Sequence, residues 1–273
     1  MRQSEKLRSR RAISSLILVL IALIIIGSLI TAVVLWQLLI TPGELISKEM
    51  DFDDFAVVAV GNAFEVEITQ SSVYKINILA DEYVHVTEFG KDEYTRELTF
   101  DYVRVVKEDG VLIVGLEPGY TYQSAHQFRP LTLQAEITMP VLTGLNFSGA
   151  THGTAEGFVS TNELALTLSG ASHLDIEIIA GDIAIYLSGA SYLNGEGSGA
   201  NLIADVSGAS HLDCSSLPVH DANLLLSGAS WATVNLDGQL DADLSGASHL
   251  QYIGDPTLGG IQTSGGSIVE KQG

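Results

Sequence analysis

Hydrophobic and polar residues alternate along short segments of the C-terminal half of the chain, and a small-residue corner ends each alternation. The corner is Ser-Gly-Ala-Ser or a close variant, and its copies start at Ser148, Ser169, Ser188, Ser207, Ser227, Ser245 and Ser264. In the second copy, Leu166 and Leu168 flank the polar Thr167 directly before the corner. This period of two predicts strands that bury one face.

The repeat length indicates how these strands assemble. The seven copies are separated by 21, 19, 19, 20, 18 and 19 residues. Such regularity predicts one unit stacked on copies of itself, each made of a strand, a Ser-Gly corner, a second strand and a polar return. We therefore expect an all-β parallel β-helix with rungs about 4.8 Å apart. A β-propeller blade would need about 40–50 residues.

Residues 51–140 are also rich in predicted strands but lack the repeat. Asp109-Gly110 is typical of a tight hairpin turn. Two segments, residues 86–98 and 117–130, interrupt the strand pattern, and we expect them to leave the coil. The predicted strands are Phe55–Val60, Ala63–Thr69, Tyr74–Ala80, Phe100–Val106, Val111–Leu116 and Leu131–Thr138.

The first forty residues differ from the rest of the chain. Residues 1–11 carry five basic side chains, and residues 12–40 form an uncharged run of 29 residues. Since about 20 apolar residues cross a bilayer as a helix, we predict one transmembrane signal anchor at 12–40. The basic tail places the N-terminus in the cytoplasm. The prediction is a single-pass protein of a cell membrane, with a linker at 41–52 and an extracytoplasmic domain at 53–270.

The charge distribution limits the partners of the extracytoplasmic part. The chain has a formal net charge of −20, and residues 130–270 contain 15 acidic residues but no Lys or Arg. This charge argues against nucleic acid as a partner. Cys214 is the only cysteine, so no intramolecular disulfide stabilises the domain.

Two columns of residues repeat beside the corner, at positions that alternate with the buried leucines. Rings stand four positions after the first Ser, and polar residues stand six after it. We expect both columns to face outward on one sheet, where they either stack for stability or bind a surface glycan or an envelope protein. The candidate ligand-binding residues are His152, His173, Tyr192, His211, Trp231, His249, Asp175, Asn194 and Asp213.

The residues of these two columns could also form a metal site or a catalytic site. His152, His173 and Asp175 could chelate one ion, but the other rings are too widely spaced to share one. Asp175 and Asp213 lie two rungs apart, roughly 10 Å, which is slightly beyond the carboxylate spacing of an inverting glycosidase. No nucleophile elbow, phosphate loop or zinc motif occurs. We predict no catalytic residue, no metal and no cofactor.

Several segments resemble a known bacterial family. They are Ala63–Thr69, Tyr74–Ala80, Glu108–Ile113, Met139-Pro140, the corner repeats and Tyr252–Pro256. Over residues 53–270 the chain is similar to the "putative auto-transporter adhesin, head GIN domain" family. The resemblance implies a right-handed β-helix of the cell envelope and transfers no catalytic residues. An autotransporter ends in a membrane β-barrel, and we do not expect one here.

The sequence therefore predicts a membrane-anchored, non-catalytic structural, adhesion or ligand-binding module. Two alternatives stay open: a surface carbohydrate-active enzyme with a polysaccharide hydrolase or lyase fold, and an accessory component of an envelope-stress system.

Overall fold

The computed structural model describes residues 45–91, 95–124 and 131–272. The basic tail at 1–11 and the predicted anchor at 12–40 lie outside these residues. Within the described ranges, no helix has the length and apolar character needed to cross a membrane.

The described part is built almost entirely from strands, with one 3-10 turn at Thr99–Asp101. The first strands in chain order are β1 (Leu45–Met50), β2 (Val57–Val60), β3 (Glu65–Gln70), β4 (Lys75–Asp81), β5 (Tyr83–Glu88), β6 (Thr95–Leu98), β7 (Val103–Glu108), β8 (Val111–Leu116), β9 (Tyr120–Ser124) and β10 (Leu133–Met139). The strands of the repeats are β11 (Gly144–Phe147), β12 (His152–Val159), β13 (Leu164–Leu168), β14 (His173–Ile179), β15 (Ile183–Leu187), β16 (Tyr192–Ser198), β17 (Asn201–Val206), β18 (His211–Val219), β19 (Asp221–Leu226), β20 (Trp231–Leu236), β21 (Gln239–Leu244), β22 (His249–Ile253), β23 (Thr257–Thr263) and β24 (Ile268–Lys271).

The repeats form a β-solenoid with two long sheets. Strands alternate between the two sheets. Sheet A contains, in parallel pairing, the even-numbered strands β12, β14, β16, β18, β20, β22 and β24. Sheet B contains, in parallel pairing, the odd-numbered strands β11, β13, β15, β17, β19, β21 and β23. The fold is an all-β solenoid of the right-handed type, with about 7 turns at a spacing of about 19 residues. The predicted β-helix is therefore confirmed for the described residues.

The core lies between the two sheets and follows the predicted alternation. In β14, Leu174, Ile176 and Ile178 are buried, and the residues between them reach the surface. Because aligned turns place like residues above each other, the inward side chains form one continuous apolar column. Burying each leucine or isoleucine contributes about 1.5–3 kcal/mol, so this column holds the coil together without disulfides.

The Ser-Gly corner is a stacked turn of backbone groups. Its glycines have φ between 70° and 78°, a left-handed conformation that glycine adopts without steric cost. In each turn from the second to the seventh, the N–H that follows the glycine donates to the glycine carbonyl of the preceding turn over 2.6–2.7 Å. A Cβ on Gly189 would lie 2.4 Å from the Gly170 oxygen, so the packing itself excludes a side chain.

The last residue of the corner fastens this turn from inside. Ser172 is buried, and its hydroxyl donates to the Ser169 carbonyl over 2.7 Å. Ser191 makes the same bond to Ser188 over 2.8 Å. The spacing of the two serines, which recurs from turn to turn, is thus explained by a local hydrogen bond from side chain to backbone that closes the corner.

The N-terminal region completes both sheets but not in chain order. Strand β3 is inserted between β10 and β12, with parallel pairing on both sides. The antiparallel strands β1 and β7 lie at the outer edges of sheets A and B. All six predicted strands of this region appear within a few residues of their expected bounds. The predicted linker at 41–52 contains β1, which pairs with β4.

The structure locates the predicted turn and the described parts of the two segments that interrupt the strand pattern. Asp109 and Gly110 have φ of 50° and 77° and join β7 to β8, as expected for a tight hairpin. Both interrupting segments contribute to a separate three-stranded antiparallel sheet, in which β5 pairs with β6 and with β9. They therefore leave the coil as predicted.

Candidate functional site

Sheet A carries the two predicted columns on its outer face. Parallel pairing without offset aligns His152 with His173, His173 with Tyr192, and Tyr192 with His211. Trp231 and His249 continue the line. We call these six residues the ring column. The neighbouring polar column contains Thr154, Asp175, Asn194, Asp213, Thr233 and Gln251.

The rings of the column stack face to face. Successive ring planes are inclined by only 8–21°, and their centroids are 4.0–6.3 Å apart. The closest pair is Trp231 and His249. Because each interior ring lies between two others, its edge rather than its face is turned to solvent. A sugar cannot lie flat on these interior rings, and the column ends at His152, beside Glu65 of β3, and at His249, beside Ile268 of β24.

Hydrogen bonds join the two columns. His173 Nε2 and Asp175 Oδ2 are 3.1 Å apart, and Asn194 donates its amide to Asp175 Oδ1 over 3.1 Å. Trp231 donates its indole N–H to Thr233 Oγ1 over 3.4 Å. Asp213 accepts the Ser215 N–H instead of a ring N–H. Hydrogen bonds therefore link Asp175 to both His173 and Asn194. The Asp213 carboxylate is bonded to a backbone N–H of its own strand.

The surroundings of the ring column shift the pKa values of two of its members and of one neighbouring carboxyl. Burial lowers the pKa of His211, although the nearby Asp213 carboxylate opposes this shift. Burial also raises the pKa of Tyr192, with smaller contributions from Asp213 and Asp175. At the far end, hydrogen bonds from Gln251 and His249 lower the pKa of Glu270. The middle of the column is therefore neutral near pH 7, since His211 resists protonation and Tyr192 resists ionisation.

A groove opens at the N-terminal end of the ring column. Its volume is about 530 Å³, and His152, His173 and Asp175 form one side. The other side comes from β3 and β10, which present Glu65, Glu67, Gln134 and Glu136. This groove adjoins the exposed side chain of His152 at one end of the ring column. We call it the acidic groove.

The acidic side of the groove is held in place by amide donors. Gln134 Nε2 donates to Glu65 Oε2 over 2.9 Å, and Asn77 Nδ2 donates to Glu136 Oε2 over 3.0 Å. The carboxylates keep further lone pairs for a ligand. A groove of this kind favours a ligand with hydroxyl or ammonium donors.

Sequence reasoning identified half of this groove. His152, His173 and Asp175 belong to the repeat, and their column positions placed them on one face. The residues from β3 and β10 were missed because they lie outside the repeat and reach the groove through out-of-order strand pairing. The only available signal was the alternation in Glu65-Val66-Glu67, which predicts an outward acidic pair.

The described residues offer no metal centre: no group of three or more His, Cys, Asp or Glu side chains in them is arranged to hold an ion. Asp175 and Asp213 are separated by Asn194 in the strand register. Two strand spacings correspond to about 9.6 Å, and a hydrogen-bonded amide occupies the space between the two carboxylates.

Comparison with known proteins agrees with the fold. A family model described as "Putative auto-transporter adhesin, head GIN domain" matches residues 94–256. The chain belongs to this family. The match covers more than half of the sequence and confirms the resemblance of the corner repeats. No protein among those with curated descriptions matches the chain.

Solved structures similar to this GIN-domain protein extend the comparison over most of its length. A "putative adhesin" from Bacteroides fragilis has a TM-score of 0.72 at 17% identity, covering 85% of this chain and 98% of its own. A "putative lipid binding protein" from Parabacteroides distasonis has a TM-score of 0.61 at 16% identity, covering 85% of this chain and 98% of its own. At these identities the likeness establishes a shared fold. The family to which the chain belongs is described as one of adhesins, which favours a non-enzymatic module.

Proposed function

We propose that this GIN-domain protein is a non-catalytic adhesion module of the bacterial cell envelope, anchored by residues 12–40. Its ligand is a surface glycan or an envelope protein, which binds in the acidic groove at the His152 end of the ring column. The observation that carries the proposal is the groove itself, where His152 and three glutamates surround a cavity of about 530 Å³.

The chemistry of the groove supports a ligand rich in hydrogen-bond donors. Glu65, Glu67 and Glu136 are oriented outward on adjacent strands, and each carboxylate has oxygen atoms to offer. Hydrogen bonds to a charged acceptor contribute about 1.5–3 kcal/mol each. Hydroxyl groups of a glycan, or the ammonium groups of an amino sugar or a basic peptide, match these acceptors. An anionic polysaccharide does not.

The proposal is tested by a glycan and peptide binding screen of the full chain. We expect Glu67→Ala combined with His152→Ala to weaken binding of the selected ligand about tenfold or more, because the loss of one charge-assisted hydrogen bond has this size. Asp237→Ala is the matched control, since it removes a carboxylate that is 83% exposed and lies outside the groove, between β20 and β21.

A further variant separates the groove from the column. Trp231→Ala removes a ring three turns away from His173, the groove residue nearest to it along the column, so binding in the groove should change little. If Trp231→Ala removes binding and the groove variant does not, the ligand lies along the column. If a glycan is depolymerised in the same screen, the module is an enzyme and the proposal fails.

A second candidate function is the binding of an apolar ligand on sheet B. Tyr186, Ile203 and Leu225 are exposed there on three consecutive strands, with exposed fractions of 48%, 57% and 46%. Ile203 also lines a depression of about 730 Å³ on this sheet. One structural relative is named as a lipid-binding protein. Binding to neutral phospholipid vesicles that is lost in Ile203→Lys/Leu225→Lys, but kept in the groove variant, would favour this candidate.

A further inference from the structure

Three tyrosines form a compact cluster at the separate three-stranded sheet. Tyr120 and Tyr122 lie on the same side of β9, because they are two residues apart on one strand. Tyr102 follows the 3-10 turn and contacts both of them. The ring centroids of Tyr102 are 5.2 Å from Tyr120 and 5.9 Å from Tyr122, and those of Tyr120 and Tyr122 are 6.3 Å apart. We call these three residues the tyrosine cluster.

The tyrosine cluster differs in geometry from the ring column. Its ring planes are inclined to one another by 51–73°, so that no two of its rings stack face to face. All three residues are partly exposed. The triangle of ring centroids is small enough for one cation above its centre to lie within about 6 Å of all three rings, which is the reach of cation–π attraction. The cluster therefore offers three rings to a single positive charge.

Tyr122 fixes the base of the tyrosine cluster. The ring packs against the apolar core, and its hydroxyl donates to the Glu117 carbonyl. Burial raises the pKa of Tyr122 to about 12, and the Glu117 carboxylate raises it further. The side chain is therefore uncharged at neutral pH, and its hydroxyl is already engaged. Tyr122 can offer a ligand its ring rather than its hydroxyl.

Three carboxylates lie near the tyrosine cluster. Burial raises the pKa of Tyr102, and the nearby charges of Glu97 and Asp101 add to this shift. Glu117 acts on Tyr122 in the same way. Within the part of the chain that the structure describes, no Lys or Arg forms an ion pair with any of these three carboxylates. Their combined field favours a positive charge beside the rings.

The cations of the described residues do not occupy this place. Where a basic side chain lies over a ring in those residues, it is Lys48 over Phe100 or Arg96 over Tyr83. The three rings and the carboxylates around them therefore lack a cation from the described chain. Charge and ring geometry together suit a cation supplied by another molecule.

We propose that the tyrosine cluster binds a quaternary ammonium group, such as that of choline. This group has no N–H donors, so it loses no hydrogen bonds when it moves from water onto aromatic rings, and aromatic residues are its usual partners. A lipid head group and a decorated glycan can both carry it. The tyrosine cluster shares no residue with the acidic groove, so this inference does not depend on the proposed function.

The test is a proton NMR titration of choline with the full chain in a maltoside detergent, which contains no choline. We expect the methyl resonance of choline to move upfield, because ring currents shield protons that lie over aromatic faces. The uncharged analogue 3,3-dimethylbutan-1-ol has the same shape and should bind about tenfold more weakly or worse, because it lacks the charge that the rings and carboxylates attract.

Variants of the rings separate the cluster from general attraction to an acidic chain. Tyr120→Leu should weaken choline binding about threefold or more, while Tyr120→Phe, which keeps the ring, should stay within about twofold of the wild type. Tyr186→Leu is the matched control, because it removes a half-exposed ring from sheet B, and it should bind as the wild type does. The groove variant Glu67→Ala/His152→Ala should also bind choline normally.

The carboxylates and the carrier are examined in the same titration. Glu97→Gln/Asp101→Asn keeps the shape of both side chains and should weaken choline binding. Glycerophosphocholine and phosphocholine esterified to a sugar identify the carrier, and Tyr120→Leu should weaken whichever binds more tightly. A choline resonance that does not move, an uncharged analogue that binds as tightly as choline, or Tyr120→Leu that binds like the wild type would overturn the proposal.

Discussion

At the scale of single residues, the second serine of the corner is buried, and its hydroxyl contributes to the stability of the turn. Ser172, Ser191 and Ser248 are buried, and each hydroxyl closes its turn by donating to the carbonyl three residues earlier. Ser230 occupies the same position, but its hydroxyl is buried without a hydrogen-bond partner. Equivalent positions of the repeat thus hold buried hydroxyls with and without a hydrogen-bond partner, and these can be compared directly.

This difference leads to a prediction for two alanine substitutions. Ser172→Ala should lower the free energy of unfolding by about 1 kcal/mol, because a buried hydrogen bond is lost. Ser230→Ala should leave stability unchanged or raise it by up to about 1 kcal/mol, since an unpaired buried hydroxyl is removed. Urea denaturation of both variants measures the difference. Equal losses would mean that the hydroxyl bond does not stabilise the corner.

At the scale of the structural element, the corner glycines serve two purposes that can be separated. Gly189 has φ of 78° and lies against the preceding glycine carbonyl, where a Cβ would come within 2.4 Å. Gly110, in the hairpin between β7 and β8, has a nearly identical φ of 77° but no atom within 4 Å of its added Cβ. The two positions share a left-handed backbone conformation and differ in packing.

Alanine substitutions at these two glycines should therefore differ in cost. Gly110→Ala should destabilise by about 1–2 kcal/mol, the cost of a left-handed conformation for an L-residue. Gly189→Ala adds a clash with backbone and should cost about 4 kcal/mol or more, which is exceptional for one substitution. Thermal and urea denaturation of the two variants check this order. A similar loss in both would mean that the stacked corners can separate without penalty.

The ring column shows how far the repeat alone determines a surface. The sequence placed all six rings on one face because each stands four residues after a corner serine. Stacking of these rings on neighbouring turns was one of the two alternatives that the sequence left open, and the structure shows the stacked arrangement. The sequence did not predict the acidic groove, because β3 enters sheet A between β10 and β12. Strand insertion out of chain order leaves no periodic signal, so Glu65 and Glu67 could not be aligned with His152.

At the scale of the whole molecule, the solenoid combines a strong apolar core with an unbalanced surface. Residues 130–270 place 15 acidic side chains on the coil without one Lys or Arg. Asp241 and Asp243 lie on one strand, two residues apart, and the paired strand adds Asn223 and Leu225 rather than a cation. Attraction between side chains therefore contributes little to this part of the fold, and repulsion between carboxylates opposes it.

Salt should consequently stabilise the folded chain at neutral pH. Ions screen charges more than a Debye length apart, about 10 Å at 0.1 M and about 3 Å at 1 M. Because the compact coil concentrates its carboxylates more than the unfolded chain does, screening lowers the energy of the folded state more. The urea midpoint should rise as sodium chloride is added, and Asp243→Asn should reduce that rise slightly. Asp255→Asn is the control, because Asp255 is paired with Lys271, and removing its charge should not reduce the rise. A midpoint that falls with salt would show that attractive pairs, rather than repulsion, dominate the surface.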